Sequence, residues 1–446
     1  MTLKEHYQKN FSLAYPVVLS QLGHIMVSVA DSVMVGQLGA VPLASVSLAI
    51  SVFTLFMLFG IGASYGMTPL VATADGANDK RAASGYLKNG LVVSVFIGVV
   101  LVLLCLGAVI VFPYLGQEEG VLEGAIPFFK VLALGLLPLM LFQAFRQFAE
   151  GLSMTKQAMY ISVASNVLNV LLNWVLIFGH WGFEPMGMLG AAVSTLISRV
   201  IMVFAMGGFV LLYPKFVRYR AVYGQVTIAW DTIKKILKIG VPTGLQFVFE
   251  IGAFSASAIM IGWLGAIPLA AHQIAMNLSA ITYMTATGIA AAASIRVGNQ
   301  LGRKDYLNLR TAGVTCFVMT IVLMAVYSFT FVVGRFALPE LYVDNEEVIA
   351  LASGLLVVVA FYQISDGIQT VGLGVLRGLG DVKIPTIVTL IAYWGIAIPF
   401  GYVCAFVLGM KSTGVWVGLS VGLTLAAVAH VMRFRKLTKR LTDQTQ

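Results

Sequence analysis

The stretch PVVLSQLGHIMVSVADSVMVGQLGAVPLA, residues 16–44, occurs twice in this chain in related form. The second copy is PTGLQFVFEIGAFSASAIMIGWLGAIPLA, residues 242–270. The two copies align without a gap at an offset of 226 positions. Each is a long apolar segment with a proline at its start and one acid inside, Asp31 in the first copy and Glu250 in the second. The chain is therefore a duplication.

The composition is that of an integral membrane protein. Of 446 residues, 59% are hydrophobic and 11% are charged, and the mean hydropathy is +0.92. A membrane-spanning helix needs about 20 mostly apolar residues, and Gly, Pro and charged positions divide the sequence into twelve such segments, the first near residues 11–35 and the last near 413–433. The sequence predicts an all-α protein with twelve transmembrane helices and no cleaved signal peptide.

The distribution of basic residues predicts the orientation. With twelve crossings, 24 of the 28 Lys and Arg residues fall at the termini or in even-numbered loops. The positive-inside rule then places both termini in the cytoplasm, so the net charge of +9 does not indicate nucleic-acid binding.

The longest polar connection predicts the domain boundaries. It separates two six-helix lobes, residues 1–213 and 236–446, with a cytoplasmic linker at 214–235. Because six is an even number, both lobes enter the membrane from the same side, and we expect parallel repeats with a substrate cavity between them.

Three of the nineteen acidic residues fall well inside predicted spans: Asp31, Glu250 and Asp366. A carboxylate at the centre of the bilayer costs at least about 2.5 kcal/mol. A cation, a proton, hydrogen-bond donors or water must therefore compensate each of them.

The acid of the first lobe is predicted to lie at the depth of other oxygen-bearing side chains. Counting helical rises from the external turns puts Asp31, Asn173 and Thr195 at one level, and Asn169 shares a helical face with Asn173. This group suits a proton-holding network or a hard cation, which prefers oxygen ligands. A purely structural hydrogen-bonded cluster is the alternative.

The acids of the second lobe are predicted to form another group. Tyr362 precedes Asp366 by one helical turn, so the two side chains share a face, and Glu250 lies near mid-membrane. With Glu250, this pair could hold a monovalent cation or share a proton. Arg199, inside a span of the first lobe, could neutralise Asp31, face a cavity or reach an interface.

Catalytic patterns are missing from the sequence. It has no P-loop, no CxxC or HExxH zinc spacing and no GxSxG elbow. Its five histidines stand in no recognisable catalytic pattern with Ser or Cys. We therefore expect neither an enzyme nor a cofactor.

The residues quoted above, with the loop QLGRKD (300–305) and the segment VLRGLGDVKIPT (375–386), resemble the multidrug and toxic compound extrusion family, MATE. The resemblance covers essentially the whole chain. Glu250 in the seventh helix and Tyr362 with Asp366 in the tenth are similar to the NorM-type branch.

The resemblance implies a monomeric antiporter in the bacterial cytoplasmic (inner) membrane that expels cationic, aromatic or lipophilic drugs in exchange for Na+ or H+. It implies a cation site at Glu250, Tyr362 and Asp366, where Na+ could bind, and another at Asp31, Asn169, Asn173 and Thr195. It also implies that Pro16 is a hinge.

Three other classes of protein fit the sequence less well. A flippase for lipid-linked saccharides would share the two-lobed design but needs a basic cavity for pyrophosphate, whereas the ionisable groups here are mainly acidic. A major-facilitator transporter would carry a short basic signature that is missing from the loop at residues 72–85. A channel would need symmetric subunits or a filter loop.

Overall fold

The computed structural model describes residues 1–443 of the chain. This part of the chain contains no β-strand, and twelve of its helices are long and apolar enough to cross a membrane. In chain order they are α1 Leu3–Gly36, α2 Ala40–Gly76, α3 Lys80–Tyr114, α4 Glu119–Gly151, α5 Thr155–Phe178, α6 Met188–Leu212, α7 Trp230–Gly262, α8 Ala266–Gly302, α9 Tyr306–Val333, α10 Glu346–Gly378, α11 Lys383–Val407 and α12 Lys411–Asp443. The predicted fold class is confirmed.

The helices extend beyond the predicted spans at both ends of the chain. α1 begins at Leu3 rather than near residue 11, and α12 continues to Asp443 rather than ending near residue 433. Hydropathy detects only the apolar part of a helix, whereas polar turns can continue the same backbone hydrogen bonding outside the hydrocarbon.

Local breaks interrupt several of the helices, among them α4 at residue 135. α2 is interrupted at residues 65–66. α11 contains two π-helical segments, Ile391–Ala397 and Val403–Val407. Pro399 lies between these segments and has no N–H to donate to the carbonyl four residues earlier, so a locally wider turn can accommodate it.

The described residues pack into two compact units. The N-terminal unit is Leu19–Gly244, and the C-terminal unit combines Met1–Val18 with the chain from Leu245 onward. The units differ from the predicted lobes in the first halves of α1 and α7, because each of these helices begins in one unit and ends in the other. The change of unit follows Pro16 and Pro242 by the same two residues.

Close backbone contacts hold the first half of α7 in the N-terminal unit. A Cβ on Gly240 would lie 2.3 Å from the carbonyl oxygen of Ala63, and one on Gly66 would lie 2.6 Å from that of Ile236. Only glycine permits this approach, so α7 packs directly on the break in α2.

The first half of α1 is held in the C-terminal unit by polar contacts. Asn10 donates to Thr315 at 2.8 Å and accepts from Arg296 at 3.2 Å. The two ring nitrogens of His6 contact Asn308 at 2.9 Å and Arg296 at 3.2 Å. His6 and Asn10 are fully buried, so these bonds replace their contacts with water.

The predicted linker is ordered against the N-terminal unit. It contains the helix Val217–Tyr223, in which Tyr219 donates a 2.6 Å hydrogen bond to Asp75. Burial and this bond raise the pKa of Tyr219, so the phenol stays protonated. Lys88 donates to the carbonyl of Val226 at 2.6 Å.

α11 and α12 approach each other closely in the C-terminal unit. The glycines at 414, 418 and 422 of α12 face α11 at a spacing of four residues. A Cβ on Gly418 would lie 2.3 Å from the Cα of Gly401 and 2.6 Å from the carbonyl oxygen of Ala397. Small residues at this spacing allow close helix packing within a bilayer.

Candidate functional site

The N-terminal unit holds a partly buried polar network, which we call the Asp31 cluster: Asp31, Asn169, Asn173, Ser194 and Thr195. Asn173 is at its centre, since it donates to Asp31, accepts from Ser194 and donates to Asn169 at 3.4 Å. Asn169 in turn donates to Thr195 at 3.5 Å. The four side chains predicted to form the first-lobe site therefore lie together, and Ser194 joins them.

The helices α5 and α6 position most of this cluster. Asn169 and Asn173 are one turn apart on α5, and both are buried. Ser194 and Thr195 are adjacent on α6. Thr195 also donates to the carbonyl of Ala191 at 2.9 Å, and the single hydroxyl proton of Ser194 is shared between Asn173 and that carbonyl. These local bonds fix the two hydroxyls, so their oxygens are held toward the amides of α5.

Arg199 lies one turn beyond Thr195 on α6, and its charge is within electrostatic range of Asp31. No salt bridge joins them among the described residues. The guanidinium lies 5.2 Å from the centre of the Phe53 ring, and its Nη2 contacts the sulfur of Met57 at 3.8 Å. Direct pairing of Arg199 with Asp31, one of the roles that the sequence left open, is therefore not observed.

The C-terminal unit holds a second network, the Glu250 cluster: Glu250, Tyr283, Tyr362, Asp366 and Tyr393. The two oxygens of Glu250 accept hydrogen bonds from the hydroxyls of Tyr393 at 3.2 Å and Tyr283 at 3.3 Å. Asp366 and Tyr362 are within electrostatic range of Glu250. None of the described hydrogen bonds joins Glu250 directly to either of them.

Burial of the Glu250 cluster is nearly complete. Glu250 is 4% exposed, and Asp366 and Tyr362 are each 2% exposed. The Oδ1 atom of Asp366 has no hydrogen-bond partner among the described residues. A buried carboxylate oxygen without a partner is costly, so this atom is the point of the cluster most in need of a proton or a cation.

None of the three membrane acids forms a salt bridge within residues 1–443. The salt bridges of this part of the chain are Arg146–Glu150, Arg218–Asp75 and Arg433–Asp381. Carboxylate and hydroxyl oxygens dominate the Glu250 cluster, and carboxylate, amide and hydroxyl oxygens the Asp31 cluster. Hard monovalent cations and protons suit both sets of atoms. No group of three or more His, Cys, Asp or Glu side chains able to hold a metal ion occurs in the described chain.

Pro16 lies inside α1, far in sequence from Asp31 but on the same continuous helix. It is buried and stands two residues before α1 passes from the C-terminal to the N-terminal unit. A proline inside a helix removes one backbone hydrogen bond and permits a bend.

Ser194, Tyr283 and Tyr393 were missing from the predicted sites. For Tyr393 the repeat itself carried a signal. The later part of the duplication aligns at an offset of 227, which maps Tyr393 onto Asn166 of the polar stretch on α5. Asn166 lies outside the Asp31 cluster, however, so the repeat alone does not identify Tyr393 as a site residue.

The chain is similar to known proteins over nearly its whole length. The MatE family model matches residues 16–175 and 242–403, once in each copy of the duplication. A relative from Agrobacterium fabrum, named probable multidrug resistance protein NorM, is 32% identical over 440 residues, covering 98% of this chain and 95% of the relative. A multidrug resistance protein NorM from Photobacterium profundum is 32% identical over 428 residues, covering 95% of this chain and 94% of that protein.

A solved structure has the same fold. It is the outward-facing conformation of a multidrug resistance MATE family transporter of the MOP superfamily, with a TM-score of 0.90 and 20% identity, covering 98% of this chain and 96% of that one. Together with the family match and the relatives, this supports multidrug efflux rather than saccharide flipping or catalysis. The chain therefore belongs to the MATE family, as a multi-pass multidrug efflux transporter similar to NorM.

Proposed function

We propose that the protein is an antiporter that exchanges organic cations for Na+ or H+. The observation that carries this proposal is that the half-buried Asp31 and the buried Glu250 and Asp366 have no salt-bridge partner in the described chain. Acids held in this way are neutralised either by a small inorganic cation or by a charged substrate. Competition between the two ligands for the same negative charge is then the coupling.

Lipophilic, aromatic cations are the substrate class that this chemistry favours. The Glu250 cluster supplies negative charge, and aromatic rings surround it. Phe254 packs edge-on against Tyr362 and Tyr393, with ring centres 6.4 and 6.0 Å apart, and Trp416 packs edge-on against Tyr362 at 5.4 Å. Aromatic faces attract organic cations as well as apolar groups.

The coupling cation is proposed to bind at both clusters. In the Glu250 cluster, Glu250, Tyr362 and Asp366 would supply oxygens to Na+, or the two acids would share H+. In the Asp31 cluster, the Asp31 carboxylate would take the cation, with Asn169, Asn173 and Thr195 as further oxygen ligands. Binding at Asp31 would change the hydrogen bonds of α1 and bend that helix at Pro16.

We further propose a membrane, an orientation and an oligomeric state for the protein. The protein would lie in a bacterial cytoplasmic membrane, and the distribution of basic residues favours both termini in the cytoplasm. The protein would work as a monomer in lipid, with the six-helix repeats at 1–213 and 236–446 providing alternating access.

Purified protein in sealed lipid vesicles tests the exchange. Efflux of a fluorescent lipophilic cation is recorded while an Na+ gradient and a pH gradient are imposed separately. We expect one of the gradients, or both, to drive efflux against the dye gradient. Dye movement that only follows its own gradient, whatever ions are present, would contradict antiport.

Asn173→Ala is expected to weaken the response of efflux to the coupling cation. Asn173 is the donor that holds Asp31, and a hydrogen bond to a charged group contributes about 1.5–3 kcal/mol. Because Asn173 is also a proposed oxygen ligand of the cation, its loss should raise the Na+ concentration for half-maximal efflux by about tenfold or more. Dye efflux measured over a titration of Na+ and pH gives this midpoint.

Asn166→Ala is the matched control for this prediction. Asn166 lies on the same helix, outside the Asp31 cluster, and its Nδ2 has no hydrogen-bond partner among the described residues. Its midpoint should match that of the unsubstituted protein. Equal midpoints for all three proteins would contradict a role for the Asp31 cluster in cation binding.

A further inference from the structure

The first π-helical segment of α11 makes two adjacent contacts with α7. Tyr393 donates to the Oε1 atom of Glu250 at 3.2 Å, and the next residue, Trp394, donates through its indole Nε1 to the carbonyl of Phe249 at 3.0 Å. Two consecutive residues of one helix thus bond two consecutive residues of the other. Only the first of these bonds ends on an ionisable group.

The indole contact is built into the backbone of α7. Gly252 faces the indole, and a Cβ at that position would lie 3.0 Å from its Cζ2 atom, so the absence of a side chain admits the ring. The carbonyl of Phe249 has a second lone pair for the indole besides the one used within the helix. The Trp394 bond therefore does not depend on the charge of Glu250.

The phenol contact, in contrast, depends on that charge. Tyr393 is fully buried, and Phe254 packs edge-on against its ring. A phenol has a single proton to donate, and here Glu250 receives it. A proton or a cation that binds Oε1 of Glu250 weakens this bond, because the carboxylate then has less negative charge to attract the hydroxyl proton.

We propose that Tyr393 is a positioning residue for the cation site, held by the π-helical segment Ile391–Ala397, and that its bond to Glu250 sets how tightly the site takes up the coupling cation. The bond from Trp394 to the carbonyl of Phe249 holds this segment against α7 whatever the charge of Glu250. The π turn is a departure from regular α-helix of the kind often found at functional sites, and here it brings a hydroxyl to an acid. The inference rests on the proposed ion-coupled function.

The substitution Tyr393→Phe tests the proposal, because it removes the hydroxyl and keeps the ring. Without its donor, the Glu250 oxygen should take the cation more readily. We expect the Na+ concentration for half-maximal efflux to fall about tenfold, or the pH for half-maximal efflux to rise by about one unit, from the contribution of a hydrogen bond to a charged group. Dye efflux from vesicles is measured over a titration of Na+ at fixed pH, and of pH without Na+.

Tyr402→Phe is the matched control. Tyr402 lies on α11 beyond Pro399, its side chain is 47% exposed, and its ring contacts Phe406. The control should keep the midpoint of the unsubstituted protein, and all three proteins should melt at similar temperatures in detergent. A purely structural role of Tyr393 would lower the melting temperature or the maximal rate without moving the midpoint.

Two outcomes would overturn the inference. The first is an unchanged midpoint in Tyr393→Phe, with the maximal rate either kept or reduced. The second is a midpoint at higher Na+ or lower pH, which would make the phenol a direct ligand rather than a competing donor. If the unsubstituted protein shows no gradient-driven efflux at all, the proposed antiport fails instead, so the two failures are distinguishable.

Discussion

Replacing Asp366 by Asn will reduce gradient-driven drug efflux to the level of vesicles without protein. The amide has nearly the shape of the carboxylic acid, but it cannot carry the negative charge or take up the coupling proton. The Oδ1 atom that has no partner in the described structure would lose its affinity for a cation. Efflux of a fluorescent cation from vesicles containing equal amounts of folded protein gives the measurement.

Asp344→Asn is the matched control for this prediction. It makes the same chemical change on an exposed side chain, just before α10 begins, and should leave efflux unchanged. Cells producing each variant should show the same pattern in drug resistance, with similar amounts of protein in the membrane. Efflux by Asp366→Asn at the rate of the control would contradict the exchange model.

Glu250→Gln tests the charge of the other acid in the Glu250 cluster. Its amide oxygen can still accept from one of the two tyrosines, and its NH2 group can donate to the hydroxyl oxygen of the other, so the local packing should survive the change. Loss of exchange in this variant would then be due to loss of charge rather than to misfolding.

Gly418→Ala is expected to have the largest effect on stability. The added methyl group would lie 2.3 Å from the Cα of Gly401 and 2.4 Å from its backbone nitrogen. Backbone atoms cannot move aside as a flexible side chain can, so α11 and α12 must separate. Overpacking of this kind costs about 1–3 kcal/mol, and we expect a clearly lower midpoint of thermal unfolding in detergent.

Gly354→Ala provides the comparison. Gly354 is an exposed residue within α10, and a Cβ there would meet no atom within 4 Å. Alanine favours helix over glycine by about 0.5–1 kcal/mol, so this variant should be as stable as the unsubstituted protein or slightly more stable. Equal unfolding midpoints for both variants would show that α11 and α12 tolerate a wider separation.

Much of this architecture could be predicted because membrane helices leave strong signals. Twelve apolar segments could be located from the positions of Gly, Pro and charged residues. The duplication then showed that these segments form two repeats. The Asp31 cluster was also predictable, since helical rise and a shared face bring Asp31, Asn173 and Thr195 to one level. In these cases the distances that matter can be counted along single helices or along the repeat.

The contacts that depend on packing between helices could not be predicted in this way. Tyr283 and Tyr393 reach Glu250 from two other helices, and the approach of Tyr393 comes through a π turn that hydropathy does not detect. The sequence also did not indicate that the first half of α1 packs in the C-terminal unit and the first half of α7 in the N-terminal unit. It depends on backbone contacts at Gly66 and Gly240 and on the buried bonds of Asn10, whose partners are distant in sequence.

The first halves of α1 and α7 each belong to a different unit from the rest of their helix, and this affects folding during synthesis. The N-terminal unit is completed only when the ribosome has added the chain to Gly244, and the C-terminal unit needs residues 1–18, which are synthesised first. The leading segment must therefore wait through most of translation for its packing partners. Cutting the gene in the linker would give two fragments that each lack a piece of their own unit, so neither half should mature alone and the two should rescue each other when co-expressed.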